Sequence, residues 1–350
     1  MKKSFYRAAM LMTAIALFGA ACKGHSGHNA QPELNINFSA AFIVNGTANN
    51  LSVLNLTTDV VEHTIDLNGA TFPHHIYLSP DKKWVAVAIT STDLSAGHAG
   101  HGTATSGFKV LVIDAVKGTI VQTLELAKLP HNAVFSPNGL ELWLGQADTT
   151  SGKVLVYKTA DWTKFNEIAV GKNPSEVTFS ADGSTVFVAN TDDATVSLID
   201  PTAKSVIKTL AVGQAPVGAW AAENGKMYVD NETSQTVSEI NVATKTITAT
   251  IALGYKPGYV AFNNKNSELW VTDATNGKAK WYKFENNAWT LKGEVATGAD
   301  AHAIAISKDG NKVYVTNQGG NTLSILDAVN HSKIKDVAVG SKPNGIVLKQ

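Results

Sequence analysis

The sequence predicts an all-β chain folded as a seven-bladed β-propeller, and three observations carry that expectation. First, one phrase recurs seven times. It begins at Pro73 (PHHIYLSPDK), Pro130 (PHNAVFSPNG), Pro174 (PSEVTFSADG), Pro216 (PVGAWAAENG), Pro257 (PGYVAFNNKN), Ala301 (AHAIAISKDG) and Pro343 (PNGIVLKQ). The copies lie 57, 44, 42, 41, 44 and 42 residues apart, and a period in the forties built of short strands is what one four-stranded blade repeated around an axis requires. Second, the runs between the phrases alternate apolar and polar residues and are rich in Val, Ile and Thr. Gly, Asn and Asp fill the turns, and no window carries a 3.6-residue stripe. Third, the count closes a ring. The last phrase supplies an innermost strand and the chain stops, whereas the domain opens with the later strands of a blade, Ala41 to Asn45, Leu51 to Leu56 and Val60 to Leu67. Pairing the C-terminal strand with these three completes a blade and removes two exposed edges.

Within each repeat the elements follow one order. The Pro phrase gives the inner strand and ends in a turn such as Ser180-Ala-Asp-Gly183; next come a strand led by a large ring, a strand of the type TVSLID and an outer strand of the type KSVIKTLAVG. Phe42, Trp84, Trp143, Phe187, Tyr228, Trp270 and Tyr314 are assigned to one repeated position, where rings fill the space between adjacent sheets. Trp220 breaks the pattern by sitting in an inner strand, where it narrows the channel.

The ends and the composition set the context. Lys2, Lys3 and Arg7 precede an apolar run from Ala8 to Phe18, too short to span a bilayer, so residues 1–21 are expected to be an export signal. Gly19-Ala20-Ala21 before Cys22, the only cysteine, resembles the lipobox of bacterial lipoproteins, with Gly19 where that family prefers Leu. The resemblance implies lipidation of Cys22 and a place on the periplasmic or outer side of a bacterial membrane; the small, polar residues 22–34 are expected to be the anchor and tether and 35–350 the propeller. Removing Lys2, Lys3 and Arg7 with the leader leaves 26 basic residues against 29 acidic ones and no arginine at all. A nearly neutral chain without a guanidinium fork argues against nucleic acid and phosphoryl transfer. A monomer is expected, with an envelope protein as a possible partner.

The repeats VYVTNQGGNTLSILD (Val313 to Asp327) and VFVANTDDATVSLID (Val186 to Asp200) resemble the YVTN family of bacterial propellers. That resemblance covers nearly the whole mature chain; it implies the fold and leaves the function open, because one fold hosts many activities.

Function is expected where the repeat is irregular. The second residue of the phrase is His74, His131 and His302 in three copies, which fall in adjacent blades on either side of the Asn344 copy. Equivalent positions face one axis, so these histidines are expected at one mouth of the channel. His75 follows His74, although alternation along a strand should turn one of the two away. The 57-residue spacing places an extra loop, STDLSAGHAGHGTATSG, between the second and third strands of the His74 blade, on the same face, and it carries His98 and His101. The candidate ligands are therefore His74, His131, His302, His98, His101 and His75, for copper or zinc. His25 and His28 in the tether are a weaker capture point, and His63 and His331 are given no role. The expected function is an envelope-anchored lipoprotein that captures, stores or delivers the metal. The alternatives are a metal-dependent propeller enzyme, lactonase-like or an oxidoreductase, and a metal-free surface scaffold. Nitrous oxide reductase is similar in holding histidine-bound copper at a seven-bladed hub. Glu176, with Asn132 and Asp300, is the acid nearest the mouth and the one candidate base.

Overall fold

The computed structural model describes residues 32–95 and 104–350, and Glu33–Gln350 form one compact unit. The leader, Cys22, His25, His28, His98 and His101 lie outside the described residues. Among the described residues no helix is long and apolar enough to cross a membrane.

The chain is all-β, with seven four-stranded antiparallel sheets in a ring. Blade one joins the C-terminal strand Pro343–Lys349 to the strands Ala40–Asn45, Asn50–Asn55 and Val60–Asp66. The seam is antiparallel, with Phe42 opposite Val347 and Ile43 opposite Ile346, so the two chain ends pair as the repeat count requires. Blades two to seven start from the inner strands Pro73–Leu78, Ala133–Phe135, Pro174–Phe179, Pro216–Ala222, Pro257–Asn263 and Ala301–Ile306.

The burial pattern explains why the strands read as they do. The middle strands are covered on both faces by neighbouring blades, so Glu268–Asp273 is buried throughout and its sequence ELWVTD is apolar at its centre. Outer strands face water on one side, and Thr246–Ala252 (TITATIA) is largely exposed. Six of the seven rings assigned to one position are there: Phe42, Trp143, Phe187, Tyr228, Trp270 and Tyr314 are all at most 1% exposed. Trp84 is the exception. It opens its strand opposite Asp114, two places before the position that the other rings share, and Ala86 occupies the shared place. Trp84 is half-buried and packs edge-on against Trp162 instead.

A buried asparagine ends the second strand in four blades. Asn45, Asn190, Asn231 and Asn317 each donate to a serine hydroxyl of the third strand, at 2.9, 2.9, 3.1 and 2.9 Å. The preceding blade must come close to admit this clamp: a Cβ on Gly298 or Gly340 would stand 2.7 or 2.5 Å from the Asn317 or Asn45 side chain. The last residue of the YVTN phrase is thus a stitch between strands and between blades.

If these rings are the packing between blades, Trp143→Ala should lower the unfolding free energy by about 3–5 kcal/mol. Urea unfolding measures it, and a loss below about 1 kcal/mol would show that the ring is dispensable.

Candidate metal centre

The local backbone decides which side chains face the axis. In blade two Pro73 pairs with Ile89 and Ile76 with Val87, so His74 and His75 together oppose the single residue Ala88. This two-against-one bulge suspends the alternation of the strand. Both histidines are consequently brought into the channel, which corrects the expectation that one of them turns away. The same shift recurs before Val177, Ala219, Val260 and Ile304, and in blade one between Ile43 and Asn45. It follows that Ser175-Glu176, Gly258-Tyr259 and His302-Ala303 stand at the equivalent of His74-His75.

The structure gathers His74, His75 and His131, whose ligand-capable nitrogens lie within 4.8 Å of one another. All three are buried, at 2, 2 and 0% exposure. Their ring centroids are 4.4–4.6 Å apart, and His74 Nε2 is 3.2 Å from His131 Nε2. Two imidazole nitrogens at ~2.0–2.1 Å from a tetrahedral ion stand ~3.3–3.4 Å apart, so this pair is already at ligand spacing. His75 Nε2 is buried without a hydrogen-bond partner, an arrangement with a desolvation cost that an ion would relieve. The donor set is nitrogen only, which suits zinc and copper rather than calcium or magnesium. The residues fit the metal.

His302 lies one ring further out, its centroid 6.4 Å from those of His74 and His75. It flanks the group and does not complete it. The described ends of the long loop are seated at this end of blade two, since Thr90 N donates to Phe72 O at 3.1 Å and Ser91 Oγ to Gly107 O at 2.8 Å. His63 stacks on Phe38, and His331 stacks on Trp281 and bonds Glu268.

Behind the imidazoles stands Glu176, fully buried. One oxygen, Oε2, takes His75 Nδ1 at 2.9 Å and His131 Nδ1 at 3.1 Å. The other, Oε1, accepts from Asn132 Nδ2 at 2.7 Å and from the Tyr77 hydroxyl. Both oxygens are engaged, and the carboxylate stands behind two of the three imidazoles. Sequence reasoning named Glu176 and Asn132 but missed their role, and it missed Tyr77 and Asn344. Asn344 Nδ2 lies 2.6 Å from His74 Nδ1. The column of the repeat one residue after the histidine (His75, Asn132, Glu176, Tyr259) holds Glu176 and Asn132, Asn344 stands in the histidine column itself, and Tyr77 stands in neither.

An aromatic wall closes the far side. Tyr259 stacks on Trp220 with centroids 3.5 Å apart and stands 5.7 Å from His75. Trp220 occupies the space over Gly218, where a Cβ would be 2.2 Å from its ring, and its Nε1 donates to Asp230 at 2.6 Å. The Trp220 ring centroid lies 6.3 Å from that of His75. Desolvation first, then the charge of Glu176, hold the Tyr77 and Tyr259 phenols well above their ordinary ionisation range.

Comparisons with known proteins place this geometry in context. Residues 143–272 match the model of the choice-of-anchor I domain. A 49-residue segment is 39% identical to a PE-PGRS family protein of Mycobacterium tuberculosis, and the match covers 14% of this chain and 10% of that protein's length. Among solved structures, Kuenenia stuttgartiensis hydrazine synthase superposes with a TM-score of 0.64 at 16% identity over 78% of this chain and 88% of that one. The periplasmic gluconolactonase of Pseudomonas aeruginosa superposes with a TM-score of 0.69 at 14% identity over 89% and 99%. At such identities the likeness is one of fold.

The raised phenols fix a pH dependence. A group whose folded-state value is raised contributes stability that is full below its unfolded value, about 10 for tyrosine, and is lost as pH climbs through that range. The urea midpoint should therefore fall above about pH 10, and less steeply in Tyr259→Phe. Parallel slopes for the two proteins would contradict the assignment.

Proposed function

We propose that this chain is an exported propeller that binds one copper or zinc ion through His74, His75 and His131, for capture, storage or delivery. The observation that supports it most is the convergence of three buried imidazoles with one carboxylate behind two of them. Structural zinc sites are closed by protein ligands, whereas catalytic ones keep a position open to water. Three imidazoles leave the fourth position of a tetrahedral ion to water or another ligand, so the preference for holding the ion rests on the burial of the histidines and on the engagement of both Glu176 oxygens. The buried Nε2 of His75, without a hydrogen-bond partner, supports the same reading.

The envelope location belongs to the same reading. The leader, the small residues before Cys22 and the match to a choice-of-anchor model support an exported chain, held to a membrane by lipid on Cys22. The YVTN-like repeats fit that class of envelope propeller. An enzyme of the lactonase or hydrazine synthase kind shares the fold, and that likeness of fold is all that supports the enzyme reading.

Calorimetric titration of the metal-free mature chain should show about one zinc or copper ion bound per chain, and His75→Ala with His131→Ala should abolish it. Ion at about 100 times its Kd should stabilise the wild-type fold by about 2.7 kcal/mol and leave the double variant unmoved. Unchanged stoichiometry and affinity in the variant would sink the site. For the anchor, Cys22→Ser should move the protein from the membrane to the soluble fraction, and continued retention there would rule out lipidation at Cys22.

A further inference from the structure

We infer that Glu176 is the positioning residue of this centre, holding two of its three imidazoles ready for an ion while the third, His74, is capped by its own proton. The inference rests on the metal reading above but has a test of its own.

Hydrogen-bond chemistry fixes the protons one after another. An ionised carboxylate only accepts, so His75 and His131, at 2.9 and 3.1 Å from Glu176 Oε2, each carry their proton on Nδ1. A neutral imidazole has one N–H, which leaves Nε2 of both rings as a lone pair. His131 Nε2 then faces His74 Nε2 at 3.2 Å, and two lone pairs cannot meet at that distance. His74 must therefore donate from Nε2, which leaves its Nδ1 as an acceptor. The atom at His74 Nδ1 is the Asn344 amide nitrogen, a donor, at 2.6 Å. The assignment agrees at every link from Asn344 through His74 and His131 to Glu176.

This gives the centre two preset ligands and one that must change. For His74 to bind an ion through Nε2, the Nε2–H bond breaks and an Nδ1–H bond forms, so no net proton is lost. The Asn344 amide then turns to present Oδ1, which is buried without a partner in the present arrangement. His75 and His131 need no such change, because Glu176 already holds their protons on the side away from the ion.

Glu176→Gln tests the idea with almost no change of volume. Asn132 Nδ2 and the Tyr77 hydroxyl both donate at the Oε1 place, so they fix the new amide oxygen there. The amide NH2 then occupies the Oε2 place and must donate to His75 and His131, driving their protons onto Nε2. Nitrogen-15 NMR of the metal-free wild-type chain should show His75 and His131 protonated on Nδ1 and His74 on Nε2. In Glu176→Gln the first two should switch to Nε2, and zinc and copper affinity should fall about 10–100-fold. A residue that merely packs would not move the tautomers. Nε2–H on His75 and His131 in the wild type, or wild-type affinity in a folded Glu176→Gln, would overturn the inference. Should the variant not fold, the wild-type tautomers still decide the matter. A wild-type chain with these tautomers that binds neither zinc nor copper would uphold Glu176 as the holder and overturn the metal reading instead.

Discussion

Closing seven sheets into a ring forces seven inner strands to begin around one axis, and the way each strand begins decides what that axis contains. Here the start is a bulge, in which two residues oppose one on the neighbouring strand. An unbroken strand would offer the channel a single side chain from each blade. The bulge offers two in blades two and four, His74-His75 and Ser175-Glu176, while in blade three His131-Asn132 directly precede the inner strand, which begins at Ala133. Three imidazoles and the carboxylate behind two of them thus come from consecutive blades and from two adjacent positions of the repeat. The meeting of both His74 and His75 with Glu176 depends on that irregularity.

The surroundings keep the polar group tolerable. A fully buried carboxylate is costly unless its lone pairs are filled, and Glu176 receives Nδ1 of two histidines, an amide and a phenol. Tyr77 and Tyr259 stay neutral because burial and this same charge oppose a second anion. Trp220 and Tyr259 fill the remaining volume as a stacked pair. On the other flank Asn344 faces His74 where Glu176 faces the other two, so one imidazole of the three is held by an amide.

The architecture was legible in the sequence because period-two runs, turn residues and a fixed spacing each report it independently. The seam of Ala40–Asn45 with Pro343–Lys349 followed from counting strands. The ring column was read wrongly at one point only: Trp84 is a large ring near the right place, and nothing local tells it from the true position held by Ala86. The histidine arc was legible as a column, but its depth was not. One of His74 and His75 was expected to turn away because strand alternation is the rule, and a bulge is a matter of register that no residue type announces. Glu176 was visible as an acid, yet its role depends on which atoms meet it, and those come from His75, Tyr77, His131 and Asn132 in two other blades. Sequence order carries composition and period; it does not carry such distances.

The central claim is that an ion sits among His74, His75 and His131. X-ray absorption spectroscopy of the zinc-loaded mature chain tests it most directly. The account requires a first shell containing three nitrogens at ~2.0–2.1 Å with the outer-shell scattering of imidazole rings. A shell made of oxygens alone, or an unchanged spectrum after replacing His75 and His131, would contradict it.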